Sequence, residues 1–503
     1  MPNTVDFSGK PFHFIGIGGI GMSAIAYVLA KRQLPVSGSD IRSSHITQRL
    51  EAVGARLFGS QDATNIEFFQ SVTDKSSEVP TAVGSRVTTE VATGKPKSYI
   101  PLAVEKVAAS LPQVICSTAI NSLNLEYQAA IEKGCPIFHR SDVLAALIQD
   151  YQSIAVAGTH GKTTTSSLIG YMLLAAGLDP TIVVGGEVKA WEGNARLGHG
   201  PYLVAEADES DGSLAKLSGK IGVITNIELD HPDHYKSLDA VIKTFQTFAN
   251  RCQTLVGCID CDVVREKTKP TISYSLRRDL GANYSVDLIR YDSSGTTARV
   301  WENDEILGEL QVKLLGSHNL SNALAAVAVG RQLGLEFETI SSAIASFEGA
   351  KRRFEYRGEI NGISFIDDYA HHPSEIRVTL AAARLRVKEG GRVVAIFQPH
   401  RYSRTLTFLE EFAQSFDSAD LVVVSDIYSA GEPDLGEVNA QQLVKAILAH
   451  QPNVYYEPSL NAIYQRLTKL LQPNDFVLFL GAGNLNQIIP EVIGFYQEAH
   501  KAT

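Results

Sequence analysis

The chain has 503 residues, room for about three domains at roughly 150 residues each. Apolar residues at 44% and charged residues at 20% fit a globular protein, and the 40 Gly and 19 Pro form no collagen period or low-complexity tract. A net charge of -10 argues against a general nucleic-acid binder, but it leaves room for a local basic pocket holding an anionic small molecule.

The N-terminus lacks a basic region followed by a signal-peptide core, and no stretch of about 18 consecutive apolar residues offers a membrane span. The five cysteines, Cys116, Cys135, Cys252, Cys258 and Cys261, are few and odd in number, which suits a reducing compartment. The cytoplasm is the expected location. Cys258 and Cys261 make a Cys-x-x-Cys without a second ligand pair, so packing near a strand end is favoured over zinc or redox chemistry.

In chain order, Phe12 to Ile15 reads as a strand, GIGGIGMS as a tight glycine turn, and Met22, Ile25 and Leu29 as the apolar face of a helix. A second strand ends near Val36, and Asp40 follows Gly21 at the spacing of a Rossmann dinucleotide fingerprint. Gly16, Gly18 and Gly21 would let an anionic group approach the free N–H donors of the helix start, which signals a nucleotide or pyrophosphate without specifying NAD. Residues 60 to 100 read as an elaborated, irregular surface connection. A strand-like Leu111 to Cys116, a helix at 124 to 133 and an element ending near Leu147 complete a first block of 1–150.

The second block, 151–349, starts with the strand Ile154 to Ala157, then GTHGKTTT at 158 to 165 and a helix through Leu174. Strand, loop and helix are the context a phosphate loop needs, here a shortened relative of the common Walker A pattern. Tyr202 to Ala207 and Ile221 to Ile227 read as strands ending in polar residues at the ligand edge of a parallel sheet. Short alternating strands fill 271 to 315, and a helix after Gly316 carries Leu320, Leu324, Val327 and Ala328 on one face. The third block, 350–503, alternates strands at 363–366, 393–397, 421–424 and 476–480 with helices at 374–387, 404–416, 438–449 and 459–471. The fold class is therefore α/β, in three domains.

Lys162 can reach the β and γ phosphates of a nucleoside triphosphate while loop N–H groups surround the same charge, and Thr163 stands where a phosphate-loop hydroxyl contacts magnesium. Glu206, at the polar end of a strand in AEADESDGS, is the carboxylate candidate for magnesium; a solvated acidic loop is the alternative. His231, at the end of NIELDH, could cap a loop, because magnesium prefers oxygen ligands. Asp368 and His371 lie at a strand-to-loop transition, and His400, Arg401 and Arg404 form a compact set whose arginines can clamp a carboxylate or phosphate or form structural ion pairs. Arg353 in KRRF could compensate a transferring phosphoryl group. An NAD-dependent oxidoreductase would use the first glycine turn and Asp40, but it leaves the second phosphate loop without a role.

The ordered motifs GIGGIGMS, SGSD, GTHGKTTT, AEADESD, NIELDH, HNLSNA, RRF, DDYAHHP and FQPHRYSRT resemble the peptidoglycan Mur ligase family over nearly the whole chain. The resemblance implies a Rossmann-like N-terminal domain for a UDP-sugar, a P-loop ATPase central domain, and an α/β C-terminal domain for an amino acid. The implied reaction uses ATP and Mg2+ to join L-alanine to the lactyl carboxylate of UDP-N-acetylmuramate, with no nucleic-acid partner and no stable membrane insertion, in a monomer or weak homodimer. By this resemblance Gly18, Gly19, Ile20, Ser23 and Asp40 serve the UDP-sugar. Gly158, Thr159, His160, Gly161, Lys162, Thr163 and Thr164 surround the phosphates, with His318, Asn319, Asn322 and Arg353 at the nucleotide. Thr163, Glu206 and His231 hold magnesium, Asp368 and His371 line the cleft, and Tyr369, His400, Arg401 and Arg404 surround the incoming alanine. Ala370 stands where the family more often has glycine, a change shared with a sibling that adds a preformed tripeptide.

Overall fold

A computed structural model describes residues 4–75 and 111–501. The chain divides into two compact units, Met1–Asp150 with Gly193–Leu197, and Tyr151–Glu192 with Gly198–Thr503. The main segment of the first unit ends at Asp150, and the short segment 193–197 is grouped with it.

The first unit holds a parallel sheet ordered Arg56–Phe58, Val36–Ser39, Phe12–Ile15, Gln113–Cys116 and Ile137–His139. Nucleotides bind such doubly wound sheets at the point where strand order reverses, beyond the strand ends, and here the glycine turn follows the central strand. Gly16 has φ 78, a conformation glycine adopts without strain, and the helix Ile20–Lys31 buries Met22, Ile25 and Leu29 as its spacing predicts. The buried Glu126 lies 2.7 Å from His13 Nε2 and accepts from Asn65 Nδ2 at 2.8 Å, so the carboxyl is hydrogen-bonded inside the domain. The second strand begins at Val36 rather than ending there, because Ser37 and Ser39 are buried as strand residues despite their polarity. Of the expected irregular connection, Thr64–Lys75 is a helix, and 76–100 lies outside the described residues.

In the second unit, the parallel strands run in the order Ile272–Ser275, Cys252–Cys258, Gly219–Ile224, Gln152–Ala157, Tyr202–Glu206 and Thr181–Val188. An antiparallel meander of Tyr284–Asp292, Gly295–Glu302 and Glu305–Val312 extends one edge. The helix Lys162–Ala175 packs with Ser317–Gln332, and Leu168, Ile169, Leu320, Leu324 and Val327 are buried with Ile154 and Val204 in one core. The strands expected through Ala207 and Ile227 stop at Glu206 and Ile224, where the chain leaves the sheet to form the site. Cys258 is buried at a strand end, and all five cysteines are free.

The third sheet is ordered Glu355–Ile360, Ile363–Asp368, Phe476–Leu480, Val393–Phe397, Leu421–Val424 and Val454–Tyr456, with only the first strand antiparallel. Alternate side chains enter opposite cores: Ile366 and Phe397 pack on one face, Phe365 and Ile396 on the other. The helix expected at 404–416 is two, Tyr402–Thr407 and Leu409–Ala413, broken at Phe408. Among the described residues no helix is long and apolar enough to cross a membrane.

Candidate active site

The strand Gln152–Ala157 runs straight into the loop 158–161, and the following helix is capped at Gly161, whose φ is 80. Gly158 has φ 146, and a Cβ there would stand 1.8 Å from Thr225 Oγ1. The loop passes too close to the neighbouring strand end for any side chain. Gly158→Ala is therefore expected to displace the loop, at a cost of roughly 1–3 kcal/mol for the backbone conformation alone. Its affinity for an ATP analogue should fall at least about tenfold, the equivalent of 1.4 kcal/mol, measured by calorimetry.

Lys162 Nζ donates to Gly158 O at 2.7 Å, Thr159 O at 3.1 Å and Glu209 Oε1 at 2.9 Å. All three ammonium protons are thus engaged, so an incoming triphosphate must exchange for one of these partners. Burial opposes the charge on Lys162, but the Glu209, Asp208 and Glu206 carboxylates outweigh it and keep the ammonium protonated. Glu209 Oε2 is buried without a hydrogen-bond partner, and burial pushes this carboxyl up to about 8 despite Lys162.

Thr163 Oγ1 donates to Glu206 Oε1 at 3.0 Å, and Glu206 Oε2 accepts from Gly185 N at 2.7 Å. A hydroxyl and a carboxylate at the start of the helix are the hard oxygen donors a magnesium ion takes. His231 has φ 53, and its Nε2 lies 3.6 Å from Asp230 Oδ2 and 4.0 Å from Glu209 Oε1. Burial lowers its pKa, which leaves a neutral ring with a lone pair to offer. On the other side of the loop, Asn322 packs so close to Gly161 that a Cβ there would meet its Oδ1 at 2.6 Å. Asn319 Nδ2 donates to Leu315 O, while His318, pushed down to about 4 by burial, keeps an unpartnered Nδ1.

The C-terminal domain faces this loop. Arg353 lies over the Tyr369 ring, 5.0 Å from its centroid, and its Nη1 is 3.9 Å from Glu375 Oε1. Asp368, raised to about 6 by burial, accepts from Phe354 N at 2.7 Å and Ala370 N at 2.8 Å, so both oxygens order the backbone beside Arg353. His371 is held neutral by burial, down to about 3, and its Nδ1 is 2.9 Å from Tyr369 O. His400 stacks on Tyr428 and sits edge-on to His371.

Of the two roles open to Arg401 and Arg404, clamping a substrate or pairing within the protein, this structure displays the ion pairs. Arg404 is 1% exposed and gives Nε and Nη2 to Asp230 Oδ1 at 2.9 and 2.8 Å, while Arg401 Nη1 reaches Asp233 at 2.9 Å and Glu432 at 3.2 Å. In this state both guanidinium groups are tied to protein carboxylates. In the first unit, Asp40 Oδ2 accepts from Gly18 N at 2.8 Å, so it holds the glycine turn itself. Asn194 of the returning segment donates to Ile20 O at 2.5 Å and Ser23 Oγ at 3.0 Å, adding an anchor to the same helix start. Sequence reasoning passed over Asn194, Glu209, Glu228, Asp230 and Glu375. Only Glu375 carried a local signal, three residues after His372 in the spacing of a capping box.

A phosphate loop at the strand edge of one α/β domain, with imidazoles and guanidinium groups supplied by the next, defines a nucleotide-binding P-loop enzyme. Family models match in order: Mur ligase family, catalytic domain, over residues 11–152; Mur ligase middle domain over 156–330; and Mur ligase, glutamate ligase domain over 352–483. The chain belongs to the Mur ligase family.

It is 65% identical over 503 residues to the UDP-N-acetylmuramate--L-alanine ligase of Nostoc punctiforme, with 100% of both chains covered. It is 63% identical to the protein of the same name from Gloeothece citriformis, covering 98% of this chain and 99% of that one. Among solved structures, the UDP-N-acetylmuramate-alanine ligase of Thermotoga maritima aligns with a TM-score of 0.76 at 26% identity, covering 97% and 99% of the two chains. A murein peptide ligase of Psychrobacter arcticus, at 22% identity and a TM-score of 0.67, shares the fold.

Proposed function

We infer that the chain joins L-alanine to the lactyl carboxylate of UDP-N-acetylmuramate, with ATP converted to ADP and phosphate, in peptidoglycan precursor synthesis. The observation that carries this reading is full-length identity of 65% to a relative of that name, in a chain that keeps the phosphate loop and its Thr163–Glu206 pair. Domains of 1–150, 151–349 and 350–503 would take the UDP-sugar, ATP and the amino acid in turn.

Carboxylate is a poor acyl donor because oxide is a bad leaving group. Attack of the muramate carboxylate on the γ phosphorus makes an acyl phosphate and ADP, and phosphate then departs readily when the alanine amine attacks the carbonyl. Lys162 and Arg353 would offset the charge of the transferring group, and Asn319, Asn322 and His318 would hold the nucleoside end. A magnesium ion held by Thr163, Glu206 and His231 would neutralise phosphate charge and polarise the terminal phosphorus. Gly18, Gly19, Ile20 and Ser23 would present helix-start donors to the UDP pyrophosphate, in a turn held by Asp40.

His371, with its pKa near 3, is a hydrogen-bond acceptor rather than an effective base for an ammonium, and Asp368 has both oxygens committed. The alanine amine therefore enters neutral, its proton left to water, with Tyr369, His371 and His400 around it. Arg401 and Arg404 would bound this pocket and reach a substrate carboxylate only by exchanging protein partners. Five free cysteines suit a reducing cytoplasm, and a monomer or weak homodimer is the proposed working state.

The test is competition. Purified protein with ATP, magnesium and UDP-N-acetylmuramate receives equal alanine, glycine, serine and a free tripeptide, and product mass is read. The alanine adduct should dominate with one ADP per amide. A dominant tripeptide adduct, or an amide formed without ADP, would overturn the reading.

A further inference from the structure

His160 belongs to the phosphate loop, yet its ring is gripped between carboxylates of two domains. Nδ1 lies 3.3 Å from Glu375 Oε1 of the C-terminal domain, and Nε2 lies 3.5 Å from Glu228 Oε2 of the central domain. The two arms are themselves fixed. Glu228 Oε2 accepts from Ser374 Oγ at 2.7 Å, and Glu375 Oε2 accepts from His371 N at 3.0 Å and His372 N at 3.2 Å, closing the capping box of the helix Pro373–Arg384. The other oxygen of Glu375 serves His160 and stands 3.9 Å from Arg353 Nη1. A single carboxylate thus touches the phosphate loop, the arginine that faces it, and the start of the His371–His372 helix.

His160, Glu228 and His372 also offer ligand atoms within 4.8 Å of one another. His372 Nδ1, however, accepts from Ser374 N at 3.3 Å, which leaves the proton on Nε2 and closes that nitrogen to a metal. The cluster is ionic.

We propose that Glu375 is a positioning residue for phosphoryl transfer: through His160 and Arg353 it registers the C-terminal domain against the phosphate loop. The proposal rests on the ligase reading for its kinetic consequence, but its geometry concerns nucleotide binding alone. The charged and titratable groups facing His160 are Glu228, Glu375 and the His372 ring, whose centroid is 4.7 Å away. Burial disfavours charge on His160, but the two carboxylates outweigh it and push its pKa up to about 10. The loop then carries an imidazolium beside the Lys162 ammonium at every pH where such an enzyme works.

Glu375→Gln keeps an amide oxygen for the helix cap and loses the charge. At pH 7 its kcat should fall about tenfold, the size of one charge-assisted hydrogen bond, while affinity for an unreactive ATP analogue stays within about threefold. Without Glu375 the raised pKa of His160 drops toward neutrality, so between pH 7 and 9 analogue affinity should decline about fivefold more than in the wild type, where Glu209, raised to about 8, is the group that titrates at the loop. Glu228→Gln, which leaves the helix cap alone, should show the same alkaline decline and decides the matter if Glu375→Gln melts early. His160→Gln should show only the wild-type slope, and adding Glu375→Gln to it should lower kcat by less than the roughly tenfold it costs alone, the remainder being the Arg353 contact. A slope to pH 9 no steeper than that of the wild type in both carboxylate variants, or kcat losses that multiply in the double variant, would overturn the proposal. A wild type that binds the analogue but forms no amide would defeat the ligase reading while leaving the binding measurements to score this one.

Discussion

Lys162→Ala is expected to lower ADP formation roughly 10²–10³-fold, the loss typical of removing one preorganised donor from developing charge. The Lys162 side chain is 13% exposed and its ammonium is bonded at 2.7, 3.1 and 2.9 Å, so the group is already held and aimed before a nucleotide arrives. Alanine offers no donor to Gly158 O, Thr159 O or Glu209 Oε1. The fold should survive. Glu209, raised to about 8 by burial even with Lys162 beside it, holds its proton more firmly once that counter-charge is gone, and this avoids an unpaired buried carboxylate. UDP-N-acetylmuramate binding by calorimetry should stay near wild type, because its proposed donors belong to the other compact unit. Turnover within about twofold of wild type would remove Lys162 from the phosphate chemistry.

The phosphate loop was legible because its chemistry is local: a strand, two glycines with positive φ, a lysine and a threonine fall within a dozen residues. The partners of its cations were not. Asp230 and Arg404 are 174 positions apart, and nothing in NIELDHPDH says which of its acids will meet a guanidinium. Only the packing of the third sheet against the central domain decides it. Short strands such as Ile137–His139 and Val454–Tyr456 escaped for a different reason: three residues cannot display a period of two. The strand Thr181–Val188 was not read from the sequence, and in the structure its Gly185 N holds Glu206. Asp40 shows the limit of a correct motif. Its spacing identified the glycine turn, but the carboxylate binds Gly18 N and is engaged with the turn itself.

Arg404→Ala should destabilise the protein by about 3–5 kcal/mol at neutral pH, the usual consequence of removing one partner from a buried ion pair. Arg404 is 1% exposed, and its two bonds to Asp230 Oδ1 hold the loop after the central sheet to the helix Tyr402–Thr407 of the C-terminal domain. Burial alone would raise the Asp230 carboxyl, but Arg404 first, and His231 after it, hold it well below the ordinary aspartate range. In the wild type this pairing contributes stability above the unfolded aspartate pKa near 4 and loses it as pH falls through the lower folded value. In the variant the sign reverses: burial puts the folded pKa above the unfolded one, so protonation favours the folded state. The deficit between the two proteins should therefore be widest near pH 7 and narrow as pH approaches about 4, read from denaturant midpoints across that range. The concentration of alanine needed for half-maximal rate should rise as well, since His400 Nδ1 lies 3.3 Å from Arg404 Nη1 and would lose that contact. Arg404→Lys keeps the charge without the fork and should recover part of the stability but not the full alanine dependence. A deficit that stays constant from pH 7 to 4 would show that Asp230 is not the group Arg404 neutralises.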